Sequence, residues 1–396
     1  MRILHVVPSY LPAYRYGGPI RSVHSLACSL AQRGHEVEVY TTSMDGPLNL
    51  DVPLGQRVSL DGIKVTYFPV PWVRRLAWAP ALSRRLRETI CTFDVIHLHS
   101  VFLSPTWMAA RAAQRARKPY LIAPRGMLFA DLINLKSRWI KRAWIQLIER
   151  HNIANAAGVH VTTELEATGL RALGLKLPRV FCVPNGVQLP ISHAPLSAGP
   201  FARLPRPYAL FLSRINWKKG LDRLIRAWAM IPNMKLVIAG NDEENYMPKL
   251  KTLARQEGVA DRVLFVGPVN DTEKWALYEN AEVFILPSYS ENFGNVVAEA
   301  MVMSCPVVVT SEVGLAEVVR SSGAGIVTSG EPKELAANIS ILLATSRSER
   351  EEMGRRGYRA AVEQLSWGAI ALSMENMYLD ALRDRFRTPI AAPDSD

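Results

Sequence analysis

Residues 208–229 read YALFLSRINWKKGLDRLIRAWA, and this stretch defines the fold class. It opens with a short continuous apolar run, which is typical of a strand buried on both faces. A basic turn follows, and from position 220 apolar residues recur at the spacing of an α-helix. A buried strand that leads directly into a helix is the repeating unit of a parallel sheet covered by helices.

The same alternation recurs along the chain, which at 396 residues is long enough for two domains. In the first half we predict strands at 2–8, 37–43, 64–70, 94–100, 120–126, 159–163 and 180–186, and helices at 20–34, 105–117 and 132–155. In the second half we predict strands at 208–215, 235–240, 263–269, 283–288, 306–311 and 325–329, and helices at 220–229, 247–257, 272–280 and 293–303. The pattern predicts an α/β protein with two doubly wound, Rossmann-like parallel-sheet domains that face each other across a cleft.

The two arrays of strands are separated by a segment rich in Pro and Gly, VPNGVQLPISHAPLSAGPFARLPRP at 183–207. Such composition without periodicity is typical of a linker. We therefore assign 1–185 to a first domain, 186–207 to the linker, 208–370 to a second domain and 371–396 to a C-terminal helix with a polar tail.

Positive charge is concentrated in the first half of the chain. The net charge is +11, and residues 71–142 contain 14 basic against 3 acidic residues. Five tryptophans are interleaved with them: Trp72, Trp78, Trp107, Trp139 and Trp144. This composition favours an anionic partner, such as a membrane surface, a phosphorylated substrate or a nucleic acid, over a basic face that serves only solubility. We expect no nucleic-acid partner, because the chain contains no recognisable nucleic-acid-binding motif.

The sequence shows no pattern typical of a secreted or membrane-spanning protein. Its four cysteines lie far apart, which favours neither a disulfide framework nor a structural zinc site. No apolar run reaches the ~20 residues of a membrane-spanning helix. The N-terminus MRILHVVPSY is typical of a first buried strand rather than a signal peptide. We therefore expect a cytoplasmic protein.

The most specific motif is PSYSENFGNVVAEAM at 287–301. Glu291 follows a predicted strand, and Glu299 lies about two turns into the next helix. The start of a helix favours an anion such as a phosphate, and carboxylates accept hydrogen bonds from sugar hydroxyls. The alternative is an ordinary capped helix with one surface glutamate. The residues around the two glutamates in 287–301 favour a binding site for a phosphate and a sugar over this alternative.

Two cations follow the first strand of the second domain. Arg214 ends that strand and Lys219 precedes the next helix, so that both can converge on a diphosphate. The alternative is a solvated turn with surface cations.

The first domain also carries candidate residues after its strands. Gly17 and Gly18 follow the first strand and allow the backbone to approach a ligand, although no GxGxxG fingerprint for a dinucleotide cofactor is present. His97 and His99 share one face of the strand 94–100, and His99 is nearer its carboxyl end, where ligands bind. A structural histidine is the alternative for His99.

Taken together, these motifs resemble those of the retaining group-one (family four) glycosyltransferases, which have the GT-B architecture. The resemblance covers almost the whole chain and includes DVIHLHS (94–100), APRGML (123–128), VPNGV (183–187), SRINWKKG (213–220) and the string at 287–301. The chain departs from the family at Ser304, where glycine is frequent, and in SEVGLAEVV (311–319), which lacks the usual double glycine.

The resemblance implies roles for individual residues. Arg214 and Lys219 would stabilise the departing diphosphate, and Glu291 would hold the transferred sugar. The other implied contacts to the donor are backbone N–H groups of Phe293, Gly294 and Asn295, the ribose-binding Glu299, Val269 at the nucleobase, Gly17 and Gly18 facing the donor, and His99 near the anomeric carbon.

The resemblance implies a metal-independent, retaining transferase without a cofactor. It would move a sugar from a nucleotide-sugar donor to a hydroxyl of a glycan or lipid-linked acceptor, in the synthesis of a polysaccharide or cell-envelope glycan. The first domain would bind the acceptor and the second the donor, and the basic first domain suggests peripheral contact with an anionic membrane. A sugar-nucleotide epimerase and a non-catalytic scaffold for an anionic partner are the alternatives.

Overall fold

The computed structural model describes residues 1–13, 18–135, 137–190, 201, 204–242 and 244–387. The chain divides into two compact units. The first comprises Met1–Gly186 and the chain from Trp367 onward, and the second comprises Val187–Ser366.

The first unit contains an eight-stranded sheet. The strands of this unit are β1 (Arg2–Ser9), β2 (Glu36–Thr42), β3 (Met44–Asp45), β4 (Leu48–Asn49), β5 (Arg57–Leu60), β6 (Ile63–Phe68), β7 (Val95–His99), β8 (Tyr120–Ala123), β9 (Gly158–Val161) and β10 (Val180–Cys182). The order in the sheet is β10-β9-β8-β7-β1-β2-β6-β5, while β3 and β4 form a separate hairpin. All neighbours in the large sheet are parallel except β5 and β6. The strand order therefore reverses between β1 and β7.

Helices connect the strands of the first unit. They are α1 (Gly18–Gln32), α2 (Pro80–Thr89), α3 (Ser104–Arg115), α4 (Ala130–Leu135), α5 (Arg138–Trp144), α6 (Arg150–Ala154) and α7 (Glu164–Arg171). The continuous helix predicted over 132–155 is wrong. Ser137 has a left-handed backbone with φ of 54°, which a right-handed helix cannot contain, and a π-helical turn at Ile145–Glu149 joins α5 to α6.

The second unit has a fully parallel six-stranded sheet. Its strands are β11 (Tyr208–Leu212), β12 (Lys235–Ala239), β13 (Val263–Gly267), β14 (Val283–Leu286), β15 (Val307–Thr310) and β16 (Gly325–Thr328), in the order β13-β12-β11-β14-β15-β16. Its helices are α8 (Leu221–Trp228), α9 (Met247–Gln256), α10 (Asp271–Glu279), α11 (Asn295–Val302), α12 (Ala316–Ser322), α13 (Pro332–Ala344) and α14 (Arg347–Leu365). The strand order reverses between β11 and β14, and ligands of such sheets bind beside this reversal at the carboxyl ends of the strands.

The last helix, α15 (Trp367–Arg387), packs in the first unit although it follows the second in sequence. Its residues Ile370, Met374 and Tyr378 are buried in the same core cluster as Val23 and Leu30 of α1. The second unit therefore ends at Ser366, four residues before the predicted position 370, because these apolar side chains are buried in the first unit. The predicted polar tail beyond 387, and most of the predicted linker, lie outside the described residues.

Two parallel-sheet α/β units confirm the predicted fold class, and every predicted strand is present. The strand that the sequence did not reveal in the first sheet, β5, lies antiparallel at its edge and has no continuous apolar run. None of the described helices is both long and apolar enough to span a bilayer.

Candidate functional site

Three loops are joined at the carboxyl end of the second sheet, beside the reversal of strand order. They follow β11, β14 and β15, and backbone hydrogen bonds connect them. The Tyr289 N–H donates to the Lys218 carbonyl (2.7 Å), the Glu291 N–H to the Glu312 carbonyl (3.0 Å), and the Gly314 N–H to the Glu291 carbonyl (2.9 Å). The backbone itself therefore fixes the position of the side chains that these loops carry.

The first of these loops approaches the end of β14 so closely that only glycine fits at position 220. Gly220 has a φ of 67°, and a Cβ there would lie 1.9 Å from the carbonyl oxygen of Pro287. Gly220 also terminates the 3-10 turn Trp217–Lys219 and precedes α8. This turn leaves the Lys219 side chain pointing inward, with only 9% of the residue exposed.

Lys219 and Glu291, two of the residues predicted from sequence, are brought together by these loops. The Lys219 Nζ donates a hydrogen bond to Glu291 Oε2, and both side chains are largely buried. Arg214 lies on the same loop as Lys219 and is exposed. The arrangement offers positive charge for a phosphate and a carboxylate for hydroxyl groups at one point of the sheet.

The helix α11 begins beside this ion pair. Its N-cap is Gly294, with a φ of 96°, and its first residue is Asn295. A Cβ at Gly294 would lie 3.6 Å from Cγ of Glu291, so the glycine keeps the helix start open next to the carboxylate. Phe293 is buried, and its carbonyl accepts a hydrogen bond from the Leu315 N–H (3.0 Å). The positive end of a helix therefore lies next to Glu291.

Glu299 is held by two residues of α10, Lys274 and Tyr278, that were not predicted from the sequence. Its Oε1 accepts a hydrogen bond from Lys274 Nζ (2.9 Å), and its Oε2 accepts one from the Tyr278 hydroxyl (3.2 Å). Burial raises the pKa of Tyr278 well above its usual value, so the hydroxyl remains a donor. Asn270 and Glu273 form a capping box at the start of α10, directly after the half-buried Val269. Two features of the sequence could have indicated these residues: the capping pattern that marks the start of α10, and the spacing of four that places Lys274 and Tyr278 on one face of that helix.

The predicted glycines of the first unit lie in the connection between β1 and α1. Gly18 is the first residue of α1, and Gly17 lies outside the described residues.

Four buried histidines form a network at the reversal of strand order in the first sheet. They are His5 on β1, His97 and His99 on β7, and His160 on β9. Only the two on β7 could be singled out from the sequence, because the others become neighbours of them through sheet order alone.

In the half of the network formed by His160 and His97, the groups at the two ends determine which ring nitrogens carry a proton. The Val183 carbonyl can only accept, so Nε2 of His160, 2.8 Å away, carries a proton. Nδ1 of the neutral His160 therefore accepts from Nε2 of His97 (3.2 Å). Nδ1 of His97 in turn accepts from the Tyr378 hydroxyl of α15 (2.8 Å).

The other half begins at Arg125, whose guanidinium can only donate. It donates to Nδ1 of His99 (3.1 Å) and to the side-chain oxygen of Asn185 (2.7 Å). Nε2 of His99 then carries the proton and donates to Nδ1 of His5 (2.8 Å). Nε2 of His5 is left buried without a hydrogen-bond partner among the described residues.

His99 is therefore not an open side chain at the end of its strand. It is 1% exposed, and both ring nitrogens are engaged, with His5 and with Arg125. Contact between His99 and a substrate would require one of these two hydrogen bonds to open.

Burial keeps these imidazoles neutral. Together with the nearby charge of Arg125, burial lowers the pKa of His5 and of His160 to about 3. It also lowers the pKa of His97 and of His99 well below the usual value. The hydrogen-bond directions given above also require neutral rings, because they use one nitrogen of each ring as an acceptor.

Nitrogens of His5, His97 and His99 lie within 4.8 Å of one another, a spacing that a metal ion could use. The surroundings do not fit a cation. Within the described structure, every one of these nitrogens except Nε2 of His5 already has a hydrogen-bond partner, which is another ring of the set, His160, Tyr378 or Arg125. The guanidinium of Arg125 also places a positive charge 3.1 Å from His99. A buried divalent cation beside it would have no acidic group to offset the combined charge within this set.

Comparison with known proteins relates both units to one enzyme class. The family model described as glycosyl transferase 4-like domain matches residues 17–186, and that described as glycosyl transferases group 1 matches residues 198–360. A D-inositol 3-phosphate glycosyltransferase of Xylanimonas cellulosilytica is 29% identical, with 93% of each chain covered.

Solved structures show the same fold. Sucrose-phosphate synthase from Thermosynechococcus elongatus has a TM-score of 0.77 at 21% identity, covering 98% of this chain and all of that one. HepE of Anabaena, in complex with UDP-glucose, has a TM-score of 0.73 at 20% identity, covering 95% of this chain and 99% of that one.

The two family models cover one unit each, and the second of them contains the loops that bring Lys219 to Glu291. The chain therefore belongs to the group-one glycosyltransferases of GT-B architecture.

Proposed function

We propose that this protein is a retaining glycosyltransferase that transfers a sugar from a nucleotide-sugar donor to a hydroxyl of a glycan or lipid-linked acceptor. The contact between Lys219 and Glu291 beside the start of α11 carries this proposal. Polysaccharide or cell-envelope glycan synthesis at the cytoplasmic face of a membrane is the setting that we propose for it.

The chemistry assigned to this site is departure of a diphosphate. As the bond between the anomeric carbon and the phosphate oxygen breaks, negative charge builds on the phosphate and the sugar gains oxocarbenium character. Lys219, Arg214 and the positive end of α11 stabilise that charge where it develops. When the diphosphate binds Lys219, it replaces Glu291 as the partner of the ammonium group. Glu291 is then free to accept hydrogen bonds from the sugar hydroxyls.

The nucleoside part of the donor is assigned to α10 and α11. Lys274 and Tyr278 orient the carboxylate of Glu299, whose remaining lone pairs accept hydrogen bonds from the ribose hydroxyls. The backbone at Val269, just before α10, is proposed to meet the nucleobase. The complex of HepE with UDP-glucose makes UDP-sugars the first donors to test.

The proposed mechanism retains the anomeric configuration. The acceptor hydroxyl attacks from the face that the diphosphate leaves, and the departing phosphate takes the hydroxyl proton. No covalent intermediate with a protein side chain is required.

The proposed transferase needs no metal, because Arg214 and Lys219 supply the positive charge at the diphosphate. We therefore expect an excess of chelator to leave the rate of nucleoside diphosphate release largely unchanged. A loss of activity in chelator that Mn²⁺ or Mg²⁺ restores would show that the diphosphate is neutralised by a metal instead.

Peripheral membrane association is supported by the surface of α5. Trp139 is 67% exposed, and the guanidinium carbons of Arg138 and Arg142 lie 4.9 and 5.7 Å from the centre of its ring. Ile140 and Leu147 are exposed nearby in sequence. Exposed aromatic and aliphatic groups among cations are typical of a surface at an anionic bilayer interface.

A panel of nucleotide sugars distinguishes this function from its alternatives. The purified protein is incubated with each donor, with and without a membrane lipid extract as acceptor, and free nucleoside diphosphate is measured. A transferase releases it from a preferred donor, with more release when acceptor is present. Conversion of the donor into an epimer without release would indicate an epimerase, and an unchanged donor in every case would indicate a scaffold.

A further inference from the structure

A groove of about 440 Å³ lies between α2 and α3 on the first unit. Residues of both helices and of the segment before α2 line it. Its charged and aromatic members are Arg84, Arg87, Arg111, Arg115, Trp78 and Trp107. No residue that lines the groove, all of them in the described part of the chain, carries a carboxylate.

The positive charge of the groove is not neutralised within the described structure. None of its four arginines forms an ion pair with a described residue. Arg87 Nη1 donates only to the hydroxyl of Ser83 (3.2 Å), and the guanidinium carbon of Arg111 lies 5.7 Å from the ring centre of Trp107. Four guanidinium groups at one groove form a site for an anion, and their planar donor sets match phosphate oxygens.

Exposed apolar side chains flank these cations. Trp78 pairs through its backbone with Trp72, which is 66% exposed and is followed by the exposed Val73. On the other side, the Trp107 ring lies 6.4 Å from that of Trp144 at the end of α5. The groove is therefore continuous with the helix that carries the exposed Trp139.

We propose that this groove binds the phosphate headgroup of an anionic membrane lipid, while the flanking tryptophans enter the interface. A soluble phosphate ester would use the arginines but would leave Trp72 and Val73 in water, whereas a lipid surface uses both features. The proposal deepens the peripheral membrane association given above and rests on it.

The test is co-sedimentation of the full chain with vesicles of phosphatidylcholine, with and without phosphatidylglycerol. We expect binding only when phosphatidylglycerol is present. In the double variant Arg87→Gln with Arg111→Gln, the partition coefficient should fall about 30-fold, equivalent to ~2 kcal/mol for two charges near the surface. The matched control is Arg206→Gln with Arg359→Gln, which removes two exposed arginines from the second unit and should bind as the wild type does.

Three results would overturn the proposal. One is equal binding of the wild type and the groove variant to anionic vesicles, or binding of neither. Another is an equal loss in the control variant, which would indicate diffuse attraction to net charge. The third is calorimetric binding of sn-glycerol 3-phosphate that depends on Arg87 and Arg111 without vesicle binding, which would assign the groove to a soluble phosphate. Nucleoside diphosphate release by the wild type, measured in the same preparation, tests the transferase function separately.

Discussion

Individual histidines of the first unit are held neutral by their surroundings, and this has a consequence for stability. In the unfolded chain a histidine takes up a proton below a pH of ~6.5. Folded His5 does so only near its lowered pKa of about 3. Between these values the unfolded state binds more protons, so this contribution to stability is full above ~6.5 and is lost as the pH falls toward 3.

Replacement of His5 by Asn should therefore make stability less dependent on pH. The side-chain oxygen of Asn can still accept the hydrogen bond that His99 donates, but it does not titrate. Between pH 5.5 and 4, the free energy of unfolding should change by ~1.4 kcal/mol less per pH unit than in the wild type. Urea denaturation at several pH values measures this slope.

The matched control is His151→Asn, which removes an exposed ring. It controls for the loss of a histidine outside the buried network. An equal slope in His5→Asn and wild type would show that His5 is not held neutral by burial.

The residues of the proposed donor site differ in how far sequence alone could place them. Lys219, Glu291 and Glu299 lie in the loop after a strand or on the helix that follows it, so local pattern was enough to single them out as candidates. Lys274 and Tyr278 contact Glu299 because α10 packs next to α11, and that proximity depends on the path of the chain between them. Pairing of His5 with His99 likewise requires β1 and β7 to be neighbours.

Loops and helices of the second unit depend on close backbone contact at Gly220. Two costs act against any side chain there: the left-handed backbone and the collision with the carbonyl of Pro287. Gly258 has nearly the same φ, 68°, but a Cβ there would meet nothing within 4 Å. A substitution at Gly258 therefore carries only the cost of the left-handed backbone, whereas one at Gly220 carries that cost and the collision.

Gly258→Ala should lower the stability of the second unit by ~1–2 kcal/mol, the cost of the left-handed backbone alone. Gly220→Ala should lower it further and should also reduce nucleoside diphosphate release, since the loop that carries Lys219 must move. Thermal unfolding and the release assay measure the two effects. Equal stability and equal turnover of the two variants would contradict the close contact at Gly220.

Sequence pattern located the buried strands because each is a continuous apolar run between turns. It failed where local pattern does not control the backbone. The helix predicted at 132–155 is apolar at helical spacing throughout, yet Ser137 interrupts it in a left-handed conformation. Similarly, the apolar face of α15 indicates burial but does not reveal which unit buries it.

In the molecule as a whole, the chain passes between its units twice. It leaves the first between Gly186 and Val187 and returns between Ser366 and Trp367. The two crossing points are neighbours within each unit: Val187 pairs with Ser366, and a Cβ at Gly186 would lie 2.3 Å from the Trp367 ring. The units thus keep separate cores while they divide the proposed tasks, with lipid contact in the first and donor binding in the second.

The assignment of the donor diphosphate to Lys219 can be measured by comparing two adjacent lysines. Nucleoside diphosphate release at saturating donor is recorded for the wild type, Lys219→Ala, Arg214→Ala and Lys218→Ala. Loss of a group that stabilises the leaving phosphate should lower turnover by roughly 10²–10³-fold in the first two variants. Lys218→Ala should stay near the wild-type rate, because the Lys218 carbonyl that accepts from the Tyr289 N–H is part of the backbone and is kept in alanine. Wild-type turnover in both Lys219→Ala and Arg214→Ala, or an equal loss in Lys218→Ala, would contradict the proposed site.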